Sequence, residues 1–248
     1  MKRTPSSSVV DIAKSLRVSD AFNYFQDIAG LHADNLGAGI DHIKEAFGVT
    51  WIVMRARLEI DRMPHLEEPV VIETWPQPPK IRYDRDYVVR AEKDGEILAR
   101  STSTWILMNI ETHDITKGKV FDYACDIRET ERALDCKLRQ LKAPDSLEKV
   151  SERPVVYSDI DYNLHVNNAR YIDFIMDCYP LAFHKKYEVG AIEVNYINEI
   201  GPDETLSISK VAYPDAGDAP ADYLELASAA DGRTAIKAAI EFRKRKEV

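Results

Sequence analysis

One ordered recurrence within the chain constrains its fold more than any other feature of the sequence. The stretch Leu58-Glu-Ile-Asp-Arg-Met-Pro64 returns in pattern as Val194-Asn-Tyr-Ile-Asn-Glu-Ile200, 136 positions on. The turn dipeptide Asp94-Gly95 returns as Asp231-Gly232, 137 positions on, and Asp86-Tyr87-Val-Val-Arg-Ala91 resembles Asp222-Tyr223-Leu-Glu-Leu-Ala227. One inserted residue reconciles the two offsets. The chain therefore reads as two copies of one small unit, each of roughly 120 residues and large enough to bury a core.

Hydrophobic spacing gives the content of that unit. Phe22, Phe25, Ala29, Ala33 and Leu36 recur at helical intervals, with Ser19 or Asp20 as N-cap and Gly37 just past the end. From Trp51 to Asp61 the chain alternates, placing Ile52, Met54, Ala56, Leu58 and Ile60 on one face and Arg55, Arg57, Glu59 and Asp61 on the other, as a half-buried strand does. Residues 69–75, 84–91 and 96–108 are rich in β-branched and aromatic side chains, and Asp94-Gly95 joins the last two as a hairpin. A second helix begins near Asn167 and precedes the second set of strands. Helix followed by an antiparallel meander, twice over, is an α+β pattern; a parallel doubly wound sheet needs helices alternating with strands, and this chain has too few. The polar stretch from about Ile115 to Val150, including Arg128-Glu-Thr-Glu-Arg132, fits a linker. The expected division is 1–125 for the first copy, 126–150 for the linker and 151–248 for the second copy.

Composition narrows the setting. Hydrophobic residues at 45% and charged residues at 30% are the balance of a soluble globular protein, and a net charge of -9 argues against nucleic acid as a partner. Cys125, Cys136 and Cys178 are odd in number and lack metal-ligand spacing, which points to a reducing compartment without disulfides or zinc. No stretch reaches the ~20 apolar residues of a membrane span. The basic start Met1-Lys-Arg is followed by Asp11, Lys14 and Arg17 rather than an apolar signal core. A cytoplasmic protein is expected.

Chemistry should appear where the two copies differ. Directly before the second helix stands Asp161-Tyr-Asn163-Leu-His165-Val-Asn167-Asn168, for which no counterpart is evident before Phe22. On an extended backbone Asp161, Asn163 and His165 would point the same way, beside the unpaired N–H groups of a helix start, which suit a developing oxyanion. Helix capping accounts for one Asp or Asn here but not for His165 or the doubled asparagine. Glu199 falls opposite Met63 at the 136 offset; a solvated strand end beside Gly201-Pro202-Asp203 is the competing account of it. The chain has no GxSxG elbow and no P-loop, and Gly37-Ala-Gly39 lacks the third glycine of a dinucleotide fingerprint. Cys178, thirteen residues after His165, would stand ~20 Å away on one continuous helix, too far for a Cys/His pair. Trp51, Trp75 and Trp105 read as core packing, and His32, His42, His65, His113 and His184 as ordinary core or surface histidines.

These residues resemble the acyl-acyl-carrier-protein (acyl-ACP) thioesterases, the plant enzymes that terminate fatty acid synthesis and their bacterial relatives. The resemblance lies in Asp161-x-Asn163-x-His165-Val-Asn167-Asn168-x-x-Tyr171 and in Asn195-Tyr196-x-x-Glu199 followed by Gly201-x-Asp203. In the first half it lies in Asp61-Arg62-x-Pro64, Glu73-Thr74-Trp75 and Trp105-x-x-Met108-Asn109. It implies a double hot-dog fold, with a catalytic C-terminal unit and an N-terminal unit that shapes the acyl pocket. It places Asp161, Asn163, His165 and Glu199 at the catalytic positions, with no cofactor or metal. Plant members carry a cysteine just after the glutamate, where this chain has Ile200, so thiol catalysis is not expected. The absence of a plastid extension suggests a bacterial-type member.

The implied reaction is hydrolysis of a medium- or long-chain acyl thioester of acyl carrier protein, with coenzyme A as an alternative carrier. Hot-dog hydratases or dehydratases and a non-catalytic acyl-thioester-binding protein are the competing readings. An acidic carrier would need a basic dock, for which Lys137-Leu-Arg139-Gln-Leu-Lys142 and Lys80-Ile-Arg82-Tyr-Asp-Arg85 are candidates. Sheet edges in such folds leave a homodimer open.

Overall fold

In the computed structural model, residues 1–78, 82–116, 131–213 and 219–245 are described. The first copy contains β1 (Lys2–Arg3), α1 (Val18–Asn35), α2 (Ile40–Phe47), β2 (Val49–Ile60), β3 (Val70–Pro76), β4 (Tyr83–Ala91) and β5 (Ile97–Asn109). The second contains β6 (Glu148–Pro154), α3 (Asn168–Met176), α4 (Leu181–Lys186), β7 (Tyr187–Tyr196), β8 (Thr205–Ala212), β9 (Ala221–Ser228) and β10 (Thr234–Lys244). These strands form one sheet in the order β1-β3-β4-β5-β2-β7-β10-β9-β8-β6. Each copy supplies five neighbouring strands in the same internal order. The copies join where β2 pairs antiparallel with β7, Leu58 opposite Ile192.

Both long helices lie on one face of this sheet. α1 buries Phe22, Phe25, Ile28, Ala29 and Ala33, and α3 buries Tyr171, Ile172, Phe174 and Ile175. Their apolar stripes share a continuous core with Leu58, Ile72 and Val89 of the first copy and Ile192, Leu224 and Ile240 of the second. α1 starts at Val18, so Ser19 and Asp20 stand in its first turn rather than at its cap; Arg17 is the N-cap and makes no side-chain capping bond. α3 is capped as capping chemistry favours, Asn167 Oδ1 accepting the Ala169 N–H at 2.8 Å. The eight-residue α2, too short to stand out in the hydrophobic spacing, closes one end of the first copy by setting Ile43 against Val49, Tyr83 and Leu107.

Two details correct the sequence pattern. The pairing of β2 with β5 shifts register between Val53 and Arg55, so Met54 is bulged and the buried parity moves from Val53 to Ala56, Leu58 and Ile60. β7 shifts at the matching place, Ala191 and Val189 pairing with consecutive residues of β10 around Gly190. The second correction concerns β4 and β9. Arg85 pairs with Ser103 and Asp222 with Ile240, so the 137 offset already holds in these strands and Tyr87 corresponds to Leu224. Tyr87 faces α1, its ring 4.9 Å from that of Phe25, whereas Tyr223 turns to the other face and donates to Glu225. The Asp-Tyr identity is thus one position out of register, and one position exchanges the faces of a strand. The hairpins do match: Gly95 and Gly232 both have positive φ, and Asp94 and Asp231 each accept the N–H two residues on.

The segment between the copies is not a loose tether. From residue 131 it crosses the sheet face opposite the helices, where the Glu131 carbonyl accepts from Trp75 and Gln77 and Arg132 pairs with the fully buried Asp86. Further on, the Leu138 carbonyl accepts from Arg55, and the Leu141 N–H donates to Asn195 Oδ1 at 2.7 Å. This strap therefore runs from β3 of one copy to β7 of the other. Residues 126–130 of the expected linker, and Cys125, lie outside the described residues.

Candidate active site

The segment before α3 is a closed loop, not the extended run inferred from alternation. Ile160 and Val166 form an isolated bridge, the Asp161 N–H donates to the His165 carbonyl at 2.9 Å, and the Leu164 N–H returns to the Asp161 carbonyl at 3.0 Å. Asp161 Oδ1 accepts the Asn163 N–H at 2.8 Å, and Leu164 takes φ 64 to complete the turn. Asp161 therefore shapes the loop, while Asn163 sits exposed at its tip and His165 at its exit. The Val166 N–H donates to the Ile200 carbonyl at 2.9 Å, which draws the end of β7 alongside. That bond brings Glu199 to His165: Oε2 lies 3.4 Å from Nδ1, with both side chains part-exposed.

The first copy has the same loop, contrary to the expectation of no counterpart. Val10 bridges Leu16, the Asp11 N–H donates to the Ser15 carbonyl, the Lys14 N–H returns to the Asp11 carbonyl, and Lys14 takes φ 58. The Leu16 N–H donates to the Pro64 carbonyl, as Val166 does to Ile200. Asp11 matches Asp161, Ala13 matches Asn163, Ser15 matches His165, and Met63 matches Glu199. The backbone device is duplicated, but the imidazole and the carboxylate are present in one copy only. Asp11 is occupied structurally, its carboxylate 2.7 Å from Arg245.

Asp161, Asn163, His165 and Glu199 line one cavity of about 1080 Å³, which extends from this loop into the first copy. Its other walls include Ala29, Gly30 and Ala33 of α1, Ile40 of α2, and Trp51, Val53, Tyr83, Arg85 and Trp105 of the sheet. The equivalent corner of the second copy is filled. Phe242, which occupies the place of Trp105, packs 4.9 Å from the Tyr179 ring and 4.8 Å from the Phe183 ring. The cavity is therefore composite, with the polar loop of the second copy facing the open corner of the first.

Other residues fall differently from expectation. Trp51 and Trp105 are only partly buried and line the cavity, while Trp75 is held under the strap. Arg85 is buried rather than part of a surface patch, and Lys80 lies outside the described residues. Lys137, Arg139 and Lys142 are exposed, but on the strap, across the sheet from the helices. Cys178 is not on the helix that follows His165, which ends at Met176; its thiol donates to the Phe174 carbonyl, and burial pushes its pKa up. Burial, with Glu204 and Glu199 nearby, also raises Tyr171, so its hydroxyl stays protonated. Among the described residues no group of three His, Cys, Asp or Glu side chains is placed to hold a metal ion, and no helix is long and apolar enough to cross a membrane.

The family models for the N-terminal and C-terminal domains of acyl-ACP thioesterase match residues 5–124 and 142–244. The chain belongs to the acyl-ACP thioesterase family. Curated relatives include the chloroplastic oleoyl-acyl carrier protein thioesterase of Coriandrum sativum, 29% identical over 79% of this chain and 58% of that protein. The chloroplastic palmitoyl-acyl carrier protein thioesterase of Gossypium hirsutum is 28% identical over 76% of this chain and 49% of that one. The chain thus spans about half the length of the curated relatives it matches. A solved acyl-ACP thioesterase from Bacteroides thetaiotaomicron superposes with a TM-score of 0.84 at 26% identity, covering 98% of this chain and 96% of that one. The 12:0-ACP thioesterase of Umbellularia californica shares the fold, with a TM-score of 0.80 at 20% identity over 99% and 96% of the two chains. The α+β architecture of this family member is accordingly a double hot-dog.

Proposed function

We propose that the chain hydrolyses fatty acyl thioesters of acyl carrier protein, releasing free fatty acid and so ending fatty acid synthesis. The observation that carries this reading is the His165–Glu199 pair, 3.4 Å apart on the wall of a cavity that continues between apolar side chains of the other copy. A thiol leaves as thiolate with little acid assistance, so the demanding step is to deprotonate the attacking water. Glu199 and His165 share that proton, and catalytic contacts of this length in an unliganded site commonly tighten with substrate bound. Asn163 projects toward the reacting groups from a loop that Asp161 holds closed. At the start of α3 the N–H groups of Asn167, Ala169 and Arg170 are already taken, and the N–H of Asn168, which lines the cavity, is the donor offered to the carbonyl oxygen as it becomes an oxyanion. The second copy is catalytic in this reading, and the first shapes the acyl pocket. The thiols of Cys136 and Cys178 are free, which suits a reducing compartment such as the cytoplasm.

Thiol release from acyl-ACP tests the reading. Glu199→Gln and His165→Ala should each lower turnover more than about a hundredfold while the protein stays folded. Near wild-type hydrolysis by either folded variant removes that residue from the mechanism, and an enoyl product without free thiol would indicate a hydratase instead.

A further inference from the structure

Arg85 is an unusual occupant of the cavity wall. It is 7% exposed, and its Nη1 alone is committed, to His32 Nδ1 at 2.9 Å and Thr74 Oγ1 at 3.4 Å. Among the described residues no carboxylate lies within 4 Å of it, and Nε and Nη2 make no hydrogen bond. A buried guanidinium is costly unless its donors and its charge are met. His32 cannot help with the charge, because burial and Arg85 itself lower its pKa and keep the ring neutral.

The second copy shows how the same place looks when it is self-sufficient. By strand register Arg85 corresponds to Asp222 and Thr74 to Lys210. Asp222 receives the Tyr179 hydroxyl at 2.7 Å and lies 3.4 Å from Lys210 Nζ, beneath the aromatic plug that fills that corner. One copy thus neutralises its buried charge internally and is solid, while the other leaves its charge unneutralised and is open. Thr104 pairs with Arg55, which pairs with Asn195, and Asp84 pairs with Thr104. Arg85 therefore stands three strands, about 14 Å, from the end of β7 beyond which Glu199 lies.

We propose that Arg85 is an anion-recognition point: its free guanidinium edge binds a carboxylate or phosphate that the substrate carries some 14 Å or more from the scissile thioester. The identity of that ligand rests on the thioesterase reading, under which the anion has two sources, the phosphate of the carrier's phosphopantetheine arm or a carboxylate at the far end of the acyl chain.

Three non-hydrolysable thioethers separate these sources: S-dodecylpantetheine, S-dodecyl-4′-phosphopantetheine and S-(11-carboxyundecyl)pantetheine. Binding is read from the fluorescence of Trp51 and Trp105 in the wild type and in Arg85→Met. At least one anionic probe should bind the wild type about tenfold tighter than the neutral one, as a charge-assisted hydrogen-bonded contact provides. In Arg85→Met that advantage should fall below about twofold, with the neutral probe little changed. Preference for the phosphate assigns the arm, and preference for the carboxylate assigns the chain end. Equal binding of all three probes by the wild type overturns the proposal, a comparison that needs no variant to fold. So does an equal loss for all three probes in a folded Arg85→Met protein, which would make the residue structural. Because the probes are not turned over, an anion preference in a protein that releases no thiol from any acyl thioester would fail the thioesterase reading alone.

Discussion

Met63 and Glu199 occupy equivalent positions just past the ends of equivalent strands, where the carbonyl of the next residue, Pro64 or Ile200, accepts a backbone N–H from the loop before a helix. A thioether cannot take a proton from water and a carboxylate can, so equal backbones lead to unequal chemistry. Ser15→Ala and Met63→Ala should therefore leave acyl-thioester turnover within about twofold of wild type, against the loss of more than a hundredfold expected at His165 and Glu199. Steady-state kinetics on the folded variants checks this. Asn163, His165 and Glu199 stood out in the sequence because residue type is visible without coordinates and the first copy has Ala13, Ser15 and Met63 at those positions, whereas Asp161 has a like residue in Asp11. Arg85 was not legible as an inward residue, since a stretch containing Lys80, Arg82 and Arg85 reads as surface. Its parity with Tyr83 and Tyr87 was the signal available, because alternate strand residues share a face.

Helix α3 begins beside the candidate site, so its cap bears on both stability and the placement of those residues. Asn167→Ala removes the acceptor for the Ala169 N–H and should cost about 1 kcal/mol in thermal or urea unfolding, together with a drop in turnover from a frayed helix start. The approach to the loop is fixed by Asp159, whose carboxylate takes two hydrogen bonds from Arg153 and one from the Val156 N–H. Burial works against its charged form, but Arg153, the Val156 N–H and the charge of Arg170 together outweigh burial and hold the carboxyl below its usual range. A carboxyl with a depressed folded pKa contributes stability that is fully present above the unfolded value near ~3.9 and lost as pH falls through the folded one. Asp159→Asn should thus be destabilised by about 2 kcal/mol at pH 7, and the gap to wild type should close as unfolding is measured below about pH 4. Strands were the most readable elements, because period-two alternation survives in any context. The bulges at Met54 and Gly190 were not readable, since one unpaired residue leaves composition unchanged while reversing the faces beyond it. α2 escaped because eight residues give barely two turns of periodicity.

At the scale of the molecule, the strap ties the copies together on one face while the helices pack on the other. Its cations lie across the sheet from the cavity, so Lys137→Glu, Arg139→Glu and Lys142→Glu combined should change kcat/KM for acyl-ACP by less than about threefold. A salt-sensitive rise in KM in that triple variant would show that carrier docking reaches this face. The free edge at β6 is short and carries Glu148, Lys149, Glu152, Arg153 and Pro154, side chains that discourage strand addition. Duplication was readable from Asp94-Gly95 and Asp231-Gly232 because hairpin turns demand particular residues. That only one corner stays hollow was not, since Phe242 and Trp105 are alike as aromatic strand residues. This inequality of the two corners has a consequence for how such a protein can change. In a symmetric dimer of identical units every substitution is made twice, and widening one recess widens both. With both units on a single polypeptide, one recess can be lengthened, narrowed or recharged for a new tail while its twin keeps the bulk that holds the molecule together.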